Sequence, residues 1–272
     1  MSEKLRADVL LCRRNICDSR QKAQALIIAG LVYVDEVKIN KASEMLDFNA
    51  NLNVREKEHS YVSRGALKLE KALTVFGADI RDKVCLDIGA ATGGFSDVLL
   101  QSGAGFVYAV DVGYGQFDWS LRNHPKIKLY ERTNARYLDA GLFDRMPEVM
   151  VMDVSFISIQ LILPRIIALL GEHARFYVLI KPQFEAGKGK VGKNGVVKDP
   201  QVHIEIIQGI CDFLQKLNWC LHQLDYSPIK GPKGNIEYIC EILHQDQKNN
   251  NIDEEAIRTV VERAHASLKT AQ

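Results

Sequence analysis

The sequence predicts an α/β fold with a mostly parallel, doubly wound sheet and a smaller α+β unit in front of it. From residue 83 onward, short apolar runs of strand type alternate with stretches of helical periodicity, which is typical of βαβ units. The last two apolar runs, within 219–228 and 236–243, are joined by a short turn, which predicts an antiparallel final pair. A length of 272 residues accommodates one large domain and a small companion.

Residues 1–58 are predicted to form the small first domain, with two helices followed by a small sheet. Apolar Leu5, Val9 and Cys12 predict the first helix, and Ser19 is expected to cap the second. The helices carry an excess of positive charge. The basic residues are Lys4, Arg6, Arg13, Arg14, Arg20 and Lys22. An RNA-binding face that contacts phosphates and an ordinary solvated helix face explain this excess equally well.

Residues 59–64 are predicted to be a linker into the large domain, 65–245, and Ser63 is expected to cap its first helix, which ends before Gly77. The elements that follow are predicted as strand 83–89, a helix from about Gly94, strand 106–113, a helical stretch near Trp119, strand 127–131, a helical turn near Ala135, strand 148–155, helix 161–171, strand 175–181, helix 200–217, and strands 219–228 and 236–243. Residues 246–272 are predicted to be a polar linker and an amphipathic C-terminal helix, to which the sequence assigns no function.

Charge and cysteine content narrow the function classes. The 35 Lys and Arg residues nearly balance the 34 Asp and Glu residues, so a nucleic-acid partner must be indicated locally. The six cysteines are scattered without a C-x-x-C pair, and no histidine cluster has ligand spacing, so we expect free thiols and no metal. No uncharged run approaches the roughly 20 residues of a membrane span. We therefore expect a cytoplasmic protein, favour a monomer, and expect no membrane partner.

The loop after the first strand of the large domain is the candidate cofactor site. Its small residues let the backbone approach a ligand at the carboxyl edge of the sheet, and its G-x-x-x-G-G spacing differs from the dinucleotide fingerprint. Asp111 can accept from both hydroxyls of a ribose, and Asp87 can face an amino group. These features favour S-adenosylmethionine over NAD, with a purely structural glycine loop as the alternative. The assigned residues are Asp87, Gly89, Ala90, Thr92, Gly93, Gly94, Phe95, Asp111, Asn134 and Asp153.

Four charged residues are candidates for the chemistry. Asp153 and Lys181 end neighbouring predicted strands, and an antiparallel last strand would bring Glu237 to the same edge. Lys68 lies on a helix face with small and apolar residues and could complete the group. Each residue alone has an ordinary explanation. Asp153 and Lys181 can be solvated charges at strand ends, Glu237 can be an edge-strand residue, and the Lys68 side chain can pack through its stem. The prediction therefore depends on the presence of all four.

Six segments carry a family resemblance: SRGALKLEKAL, VCLDIGAATGGFSDVLL, VYAVDVGYGQ, MDVSFIS, KPQFEAGKGKVGKNGVVKDP and GPKGNIEY. Together they resemble the TlyA (haemolysin A-like) ribosomal RNA 2'-O-methyltransferases, a branch of the FtsJ-like methyltransferases. The resemblance extends to about residue 245 and implies an S4-type RNA-binding domain before a Rossmann-like, S-adenosylmethionine-dependent methyltransferase domain. It differs at Ser60-Tyr61-Val62, where the family often has a segment with tryptophan, so roles specific to the linker are not carried over.

The resemblance also implies a catalytic tetrad and a substrate. The Lys-Asp-Lys-Glu tetrad of the wider family carries over to Lys68, Asp153, Lys181 and Glu237, and the implied substrate is cytidine in the 16S and 23S ribosomal RNAs of ribosomal subunits. A ribose 2'-hydroxyl is a poor nucleophile, so we hypothesise that Lys181 removes its proton while the other three orient the lysine and tune its charge.

Several basic residues of the large domain are predicted to bind RNA beside the site. They are Arg64, Lys188, Lys190, Lys193 and Lys198, the four lysines lying on a glycine-rich loop suited to gripping phosphates. A flexible solvated loop is the alternative explanation. Two other functions remain open from the sequence: a membrane-acting haemolysin, and an RNA-binding protein whose methyltransferase domain is inactive.

Overall fold

The computed structural model describes residues 4–28, 30–54, 60–187, 189–192, 194–247 and 252–269. It divides into two compact units, Met1–Ser60 and Tyr61–Gln272. The predicted linker, 59–64, falls at this division.

The first unit is a small α+β structure. Its elements are β1 (Lys4–Arg6), α1 (Ala7–Arg13), α2 (Arg20–Ile28), β2 (Val32–Val34), β3 (Val37–Lys38), β4 (Met45–Asp47) and β5 (Leu52–Val54). Antiparallel pairs form one sheet in the order β3-β2-β5 and a second from β1 and β4. The Lys22 N–H donates to Ser19 Oγ at 3.2 Å, which confirms the predicted cap. The first helix begins later than predicted because Leu5 pairs with Leu46 in a strand.

The second unit is an α/β domain. Its helices are α3 (Ala66–Phe76), α4 (Gly94–Gln101), α5 (Trp119–Arg122), α6 (Leu163–Leu170), α7 (Pro182–Glu185), α8 (Pro200–Gln215) and α9 (Glu254–Lys269), and its strands are β6 (Val84–Ile88), β7 (Phe106–Val110), β8 (Ile127–Tyr130), β9 (Val149–Met152), β10 (Arg175–Ile180), β11 (Trp219–Tyr226) and β12 (Tyr238–His244). Single 3₁₀ turns lie at Ala135–Tyr137, Ala140–Leu142 and Ile159–Leu161.

One seven-stranded sheet runs through this domain in the order β11-β12-β10-β9-β6-β7-β8. The five strands from β10 to β8 are parallel, and β12 is antiparallel to both β10 and β11. This arrangement confirms the predicted α/β class with an antiparallel final pair. All five residues of β6 are buried, as expected of a central strand covered by helices on both faces.

Two local predictions were wrong. The N-cap of α3 is Gly65, which has no side-chain capping bond, so Ser63 is not the cap. The short helix α7 directly follows Lys181, in a stretch predicted to be loop. A proline in its first turn explains this helix, because proline is tolerated where the backbone N–H has no helical partner. Gly77 has a left-handed conformation and ends α3 as predicted.

The C-terminal helix belongs to the core of the second unit. The Ala256 N–H donates to Asp253 Oδ1 at 2.7 Å, which caps the start of α9. Ile257, Val261 and Ala264 are fully buried, and α9 packs against α8 and β11. Within the described residues, no helix combines the length and apolarity needed to cross a membrane.

Candidate active site

The sheet topology brings the predicted catalytic residues to one edge. Asp153 follows β9 and Lys181 follows β10, both at the carboxyl ends of parallel strands. Because β12 runs antiparallel to β10, with Tyr238 opposite Ile180, Glu237 lies at the beginning of its strand and at the same edge. In open α/β sheets, ligands bind outside the carboxyl ends of the strands.

Two lysines and two carboxylates meet there in a chain of ion pairs, the tetrad of Lys68, Asp153, Lys181 and Glu237. Lys68 Nζ lies 2.6 Å from Glu237 Oε2 and 3.3 Å from Asp153 Oδ2. Lys181 Nζ lies 2.5 Å from Asp153 Oδ1. Asp153 therefore bridges the two lysines. The Lys68, Lys181 and Glu237 side chains are only 8%, 9% and 1% exposed, so solvent screens these pairs weakly.

Two glycines make room for tetrad residues. A Cβ on Gly89 would lie 2.4 Å from the Asp153 backbone carbonyl oxygen, and one on Gly231 would lie 2.6 Å from Glu237 Oε1. Gly89 also has a φ of +83°, a conformation that favours glycine. A larger residue would displace the Asp153 backbone at the first position and the Glu237 carboxylate at the second.

The charge state of Lys68 follows from its neighbours. Burial by itself would lower the pKa of Lys68, but the charges of Asp153 and Glu237 and its hydrogen bonds to both outweigh burial and raise that pKa above its ordinary value. Lys68 is thus a permanent cation between two carboxylates at neutral pH, whose role is to hold them in place.

Two further polar residues contact the tetrad and were missed by the sequence analysis. Lys181 Nζ donates to Ser155 Oγ at 2.9 Å, and Gln183 Nε2 donates to Glu237 Oε1 at 3.4 Å. Each lies two residues after a tetrad member. That spacing is the only signal that could have indicated them.

Glu185 ties together the two loops that carry Asp153 and Lys181. It accepts a hydrogen bond from Ser158 Oγ at 2.6 Å and another from the Ile159 N–H at 2.9 Å. Burial raises the pKa of Glu185, although these two bonds oppose the rise. The Glu185 carboxylate, at the start of the predicted glycine-lysine loop, is therefore held by hydrogen bonds from Ser158 and Ile159.

Two cavities meet at the tetrad. The tetrad cavity, of about 380 Å³, is lined by Lys68, Asp153, Ser155, Phe156, Lys181, Gln183, Phe184, Val191, Gly195, Pro232, Lys233, Asn235 and Glu237. The loop cavity, of about 450 Å³, is lined by Ile88, Gly89, Ala91, Val110, Asp111, Val112, Gln116, Thr133, Asn134, Ala135, Asp153, Val154, Ser155, Phe156, Ile157 and Ile162. Asp153, Ser155 and Phe156 line both, so ligands in the two cavities would meet beside Lys181.

The loop cavity fits S-adenosylmethionine, which carries an ammonium and a sulfonium cation. Asp87 directly precedes Ile88 and Gly89, which line this cavity; it is fully buried, and its Oδ1 has no hydrogen-bond partner in the described part of the chain. Burial chiefly raises the pKa of Asp87 to about 7, although the Ser96 hydroxyl donates to its Oδ2 at 2.7 Å. The ammonium group of the cofactor would donate a hydrogen bond to Asp87 Oδ1 and would balance the negative charge of the ionised carboxylate.

Asp111 is positioned for a ribose at the other end of the loop cavity. Its Oδ1 and Oδ2 accept from the Gly113 and Ala91 N–H groups at 2.6 and 2.8 Å, which fixes the carboxylate in one orientation. Each carboxylate oxygen has a second lone pair, so both can still accept from ribose hydroxyls. Gly89, Asn134 and Asp153 also line this cavity, in keeping with their predicted assignment.

Six residues assigned to the cofactor do not line the loop cavity: Asp87, Ala90, Thr92, Gly93, Gly94 and Phe95. Ala90 and Phe95 are 4% exposed and pack in a core cluster with α3 and α4. A Cβ on Gly93 would lie 2.7 Å from Leu121 Cδ1, and one on Gly94 would lie 2.4 Å from Ser63 Oγ. These glycines therefore give room to protein neighbours, which a spacing pattern cannot distinguish from room for a ligand.

Phe156 is an exposed aromatic residue that the sequence analysis did not single out. It is 87% exposed and adopts a φ of +66°, which is strained for a bulky side chain. Its ring lies 5.2 Å from that of Phe184, the residue before Glu185. A strained, solvent-exposed ring where two cavities meet indicates a binding role.

Several predicted RNA-binding residues of the first unit have internal partners. Arg6 contacts Asp8 through two hydrogen bonds of 3.0 and 3.1 Å, and Arg20 Nη2 donates to Asp8 Oδ2 at 2.9 Å. Lys22 pairs with Asp18 at 2.5 Å. Lys4 is exposed.

Arg13 and Arg14 both lie close to a partly exposed aromatic ring. Their guanidinium carbons are 5.9 and 5.8 Å from the centre of the Phe48 ring, which is 37% exposed. Arg14 also donates to the carbonyl oxygens of Phe48 and Ala50. Aromatic rings next to arginines are common on surfaces that bind single-stranded nucleic acid.

The predicted basic residues of the second unit have different surroundings. Lys190 pairs with Glu205 at 2.6 Å on the surface, where such pairs contribute little and exchange readily. Arg64 and Lys198 are exposed. Lys188 and Lys193 lie outside the described residues.

Glu172, His244 and Asp246 each place one potential ligand atom within 4.8 Å of the others. Glu172 faces His244 Nε2 at 3.8 Å and Asp246 faces Nδ1 at 3.6 Å. Glu172 and Asp246 are exposed, and exposed acidic groups of this kind are common without a metal ion, so the group carries no metal assignment.

Comparison with known proteins supports the geometry. Residues 61–242 match the model of the FtsJ-like methyltransferases, and residues 5–52 match that of the S4 domain. The Bacillus subtilis protein YqxC is 45% identical over 98% of this chain and 96% of its own length. The Mycobacterium tuberculosis 16S/23S rRNA (cytidine-2'-O)-methyltransferase TlyA is 42% identical over 91% of this chain and 93% of its own.

A solved structure from Streptococcus thermophilus has a TM-score of 0.77 and 38% identity, and covers 99% of this chain and 98% of that one. The family models and these near-complete alignments agree on the two domains and on the fold. The chain belongs to the FtsJ-like methyltransferase family, takes S-adenosylmethionine as its methyl donor, and carries an S4 domain in front of its methyltransferase domain.

Proposed function

We propose that the chain methylates the ribose 2'-oxygen of cytidine in ribosomal RNA. The single observation that carries this proposal is the placement of Lys181. Its Nζ lies beside the point where the loop cavity and the tetrad cavity meet, and is held by Asp153 and Ser155. An RNA nucleotide in the tetrad cavity would place its hydroxyl between this lysine and the cofactor.

The coordination of Lys181 suits a base. A lysine nitrogen has three positions besides its bond to carbon. Ser155 Oγ accepts a hydrogen from the nitrogen at 2.9 Å, and Asp153 Oδ1 lies 2.5 Å away as its ion-pair partner. A neutral amine held by these two neighbours would keep its lone pair available to take the proton of a hydroxyl.

The other tetrad residues act through position and charge. Lys68 holds Asp153 and Glu237 at 3.3 and 2.6 Å, so the carboxylate beside Lys181 cannot rotate away. S-adenosylmethionine supplies an electrophilic methyl group. The chain's contribution is to hold the hydroxyl oxygen in line with that group, which is worth up to about 7–11 kcal/mol in well-oriented reactions.

An RNA substrate is supported by the surfaces around the tetrad cavity. The 2'-hydroxyl that the proposed reaction requires is present in RNA and absent from DNA. Phe156 offers an exposed ring on which an unstacked base can lie, and such contacts contribute about 1–3 kcal/mol per base. The predicted basic residues of both units would bind phosphates. Cytidine and ribosomal RNA are inferred from the Mycobacterium tuberculosis relative, a 16S/23S rRNA (cytidine-2'-O)-methyltransferase.

Labelled methyl transfer tests the proposal. Purified full-length protein is incubated with S-adenosylmethionine and small subunits, large subunits or intact ribosomes, and the modified RNA is hydrolysed in alkali. A 2'-O-methyl group prevents cleavage at its own nucleotide, so we expect one or two protected cytidines. Label that is found on bases, or no label on any ribosomal RNA, would contradict the proposal. Lysis of liposomes without methyl transfer would instead favour the membrane-acting alternative.

A further inference from the structure

A short backbone segment, residues 195–198, begins at the wall of the tetrad cavity with Gly195 and is held by two buried side chains outside the tetrad. The first is Asn235, which is 3% exposed. The Val197 N–H donates to its Oδ1 at 3.1 Å, and its Nδ2 donates to the Gly195 carbonyl oxygen at 2.9 Å. Only one amide orientation satisfies both bonds, because an N–H can donate only to the oxygen.

The second is His203 of α8, which is fully buried. Its Nε2 lies 3.0 Å from the Val197 carbonyl oxygen and its Nδ1 lies 2.7 Å from the Tyr238 hydroxyl. A carbonyl oxygen only accepts, so Nε2 carries the proton and Nδ1 accepts from the tyrosine. Burial chiefly lowers the pKa of His203 to about 4, so the ring stays neutral at physiological pH.

The C-terminal helix takes part in this arrangement. His265 of α9 places its Nε2 3.2 Å from His203 Nδ1. His203 lies on α8, Asn235 and Tyr238 lie just before and at the start of β12, and His265 lies on α9. Through these residues the backbone of 195–198 is connected to β12, α8 and α9. This gives α9 a structural connection to the tetrad cavity that the sequence did not indicate.

The held segment lies where substrate would bind. Gly195 and Asn235 both line the tetrad cavity, and Lys198 follows the buried Val197 and is exposed. Three backbone groups of the segment, the Gly195 C=O and the Val197 N–H and C=O, are satisfied by the two side chains. Without them, the cavity wall and the Lys198 side chain would lose their defined position.

We propose that Asn235 and His203 are positioning residues that fix segment 195–198 for the RNA substrate. This inference rests on the proposed RNA methylation and adds a specific role for residues outside the tetrad. They act on binding of RNA rather than on the proton transfer. Their loss is therefore expected to raise KM for RNA, with little change in kcat or in affinity for S-adenosylmethionine.

The test compares Asn235→Ala and His203→Phe with the wild type, Asn123→Ala as an exposed control, and His203→Gln, which retains a donor near Nε2. We expect KM for ribosomal RNA to rise about tenfold in the first two, as for the loss of one or two buried hydrogen bonds. We expect kcat to stay within about threefold, and His203→Gln to recover part of the loss. Asn123→Ala should match the wild type.

Limited trypsin digestion of the folded full-length variants provides a readout that needs no RNA. Cleavage after Lys198 should be several-fold faster in Asn235→Ala and His203→Phe than in the wild type and the Asn123→Ala control. Unchanged cleavage in both would overturn the inference whether or not the wild type methylates RNA. Faster cleavage with unchanged KM would show that the segment is fixed for another reason and would also overturn it. A wild type that methylates no RNA refutes the proposed function, while the digestion still tests how the segment is held.

Discussion

Each unit of the chain contains a carboxylate surrounded by cations, but the two arrangements differ in what they leave open. In the first unit, Asp8 is fully buried and accepts from Arg6, Arg20 and Gln24, the last at 3.0 Å. In the second unit, Asp153 joins two lysines and lines two cavities.

The difference separates a structural cluster from a chemical one. Both carboxylate oxygens of Asp8 have partners, and Asp8 lines neither the tetrad cavity nor the loop cavity. The hydrogen bond from Arg6 is the main cause that holds the pKa of Asp8 well below its ordinary value, against the effect of burial. Lys181, in contrast, has two oxygen partners beside a space large enough for a nucleotide. Burial and ion pairing are common to both clusters, so only the open position indicates chemistry.

The largest expected effect is on catalysis, from Asp153→Ala. Removal of the shared carboxylate leaves Lys68 and Lys181 without the group that bridges them and removes the partner that orients the base. We expect kcat to fall by about 10²–10⁴-fold, the range for a misplaced acid–base group. Asp8→Ala is the matched control and should leave kcat within about twofold. Comparable losses of kcat in both variants would contradict the distinction between the clusters.

The next effect is on stability, from Asp8→Asn. Hydrogen bonds to charged groups contribute about 1.5–3 kcal/mol, and the arginines left behind are partly exposed and can be hydrated, so we expect a loss of about 2 kcal/mol in the first unit. Urea unfolding followed by hydrogen exchange at α1 amides would measure it. Equal protection in the variant and the wild type would show that the cluster is not structural.

The pH dependence of this stability has a defined sign. The folded-state pKa of Asp8 is depressed, so its contribution is present above the unfolded value of about 4 and is lost as pH falls below it. The wild type should therefore progressively lose its stability advantage over Asp8→Asn as the pH falls below about 4. An advantage that persists unchanged at pH 2 would contradict the assignment.

Cofactor binding should show a smaller effect, which arises from a pKa shift in the opposite direction. The pKa of Asp87, raised to about 7 mainly by burial, means that binding of an ammonium group requires loss of a proton. Affinity for S-adenosylmethionine should fall up to about tenfold per pH unit below 7, and binding should release a proton. Calorimetry in buffers of different ionisation enthalpy measures the release. Asp87→Asn should bind weakly, without this dependence.

The same carboxyl affects stability without cofactor. Because its folded pKa is raised, the folded state holds a proton that the unfolded state has lost between about pH 4 and 7, so stability falls as pH rises through that range. Asp87→Asn should remove this fall. A wild-type protein with the same pH profile as the variant would contradict the role of Asp87.

The smallest expected effect is at the surface. Asp18 and Lys22 form an exposed pair at 2.5 Å, with 83% and 65% of their side chains exposed. Asp18→Asn should leave the urea midpoint unchanged, in contrast to Asp8→Asn, because solvent and salt screen exposed pairs. A clear shift of the midpoint would show that charge alone, without burial, stabilises the first unit.

The fold and the tetrad could be predicted because both follow from topology. Alternating strands and helices imply a parallel sheet, and the ends of parallel strands meet at one edge, which places Asp153, Lys181 and Glu237 together before any distance is known. Lys68 required only an apolar helix face. These inferences depend on periodicity and chain direction, which are properties of the sequence itself.

The contacts of individual side chains could not be predicted in the same way. Ser155 and Phe156 line both cavities, yet a serine and a phenylalanine after a strand are unremarkable in sequence. Gly93 and Gly94 matched a ligand pattern but contact Leu121 and Ser63. Such contacts join residues distant in the chain, so no local pattern encodes them.

The central claim is that Lys181 is the base of methyl transfer, and single-turnover kinetics of Lys181→Ala tests it most directly. The variant is saturated with S-adenosylmethionine and ribosomal RNA, with binding of both confirmed separately, so that only the chemical step is measured. We expect its rate of methyl transfer to be at least about 100-fold below that of the wild type, with near-normal binding of both S-adenosylmethionine and RNA. A variant that binds both ligands and transfers methyl groups at a near-normal rate would contradict it.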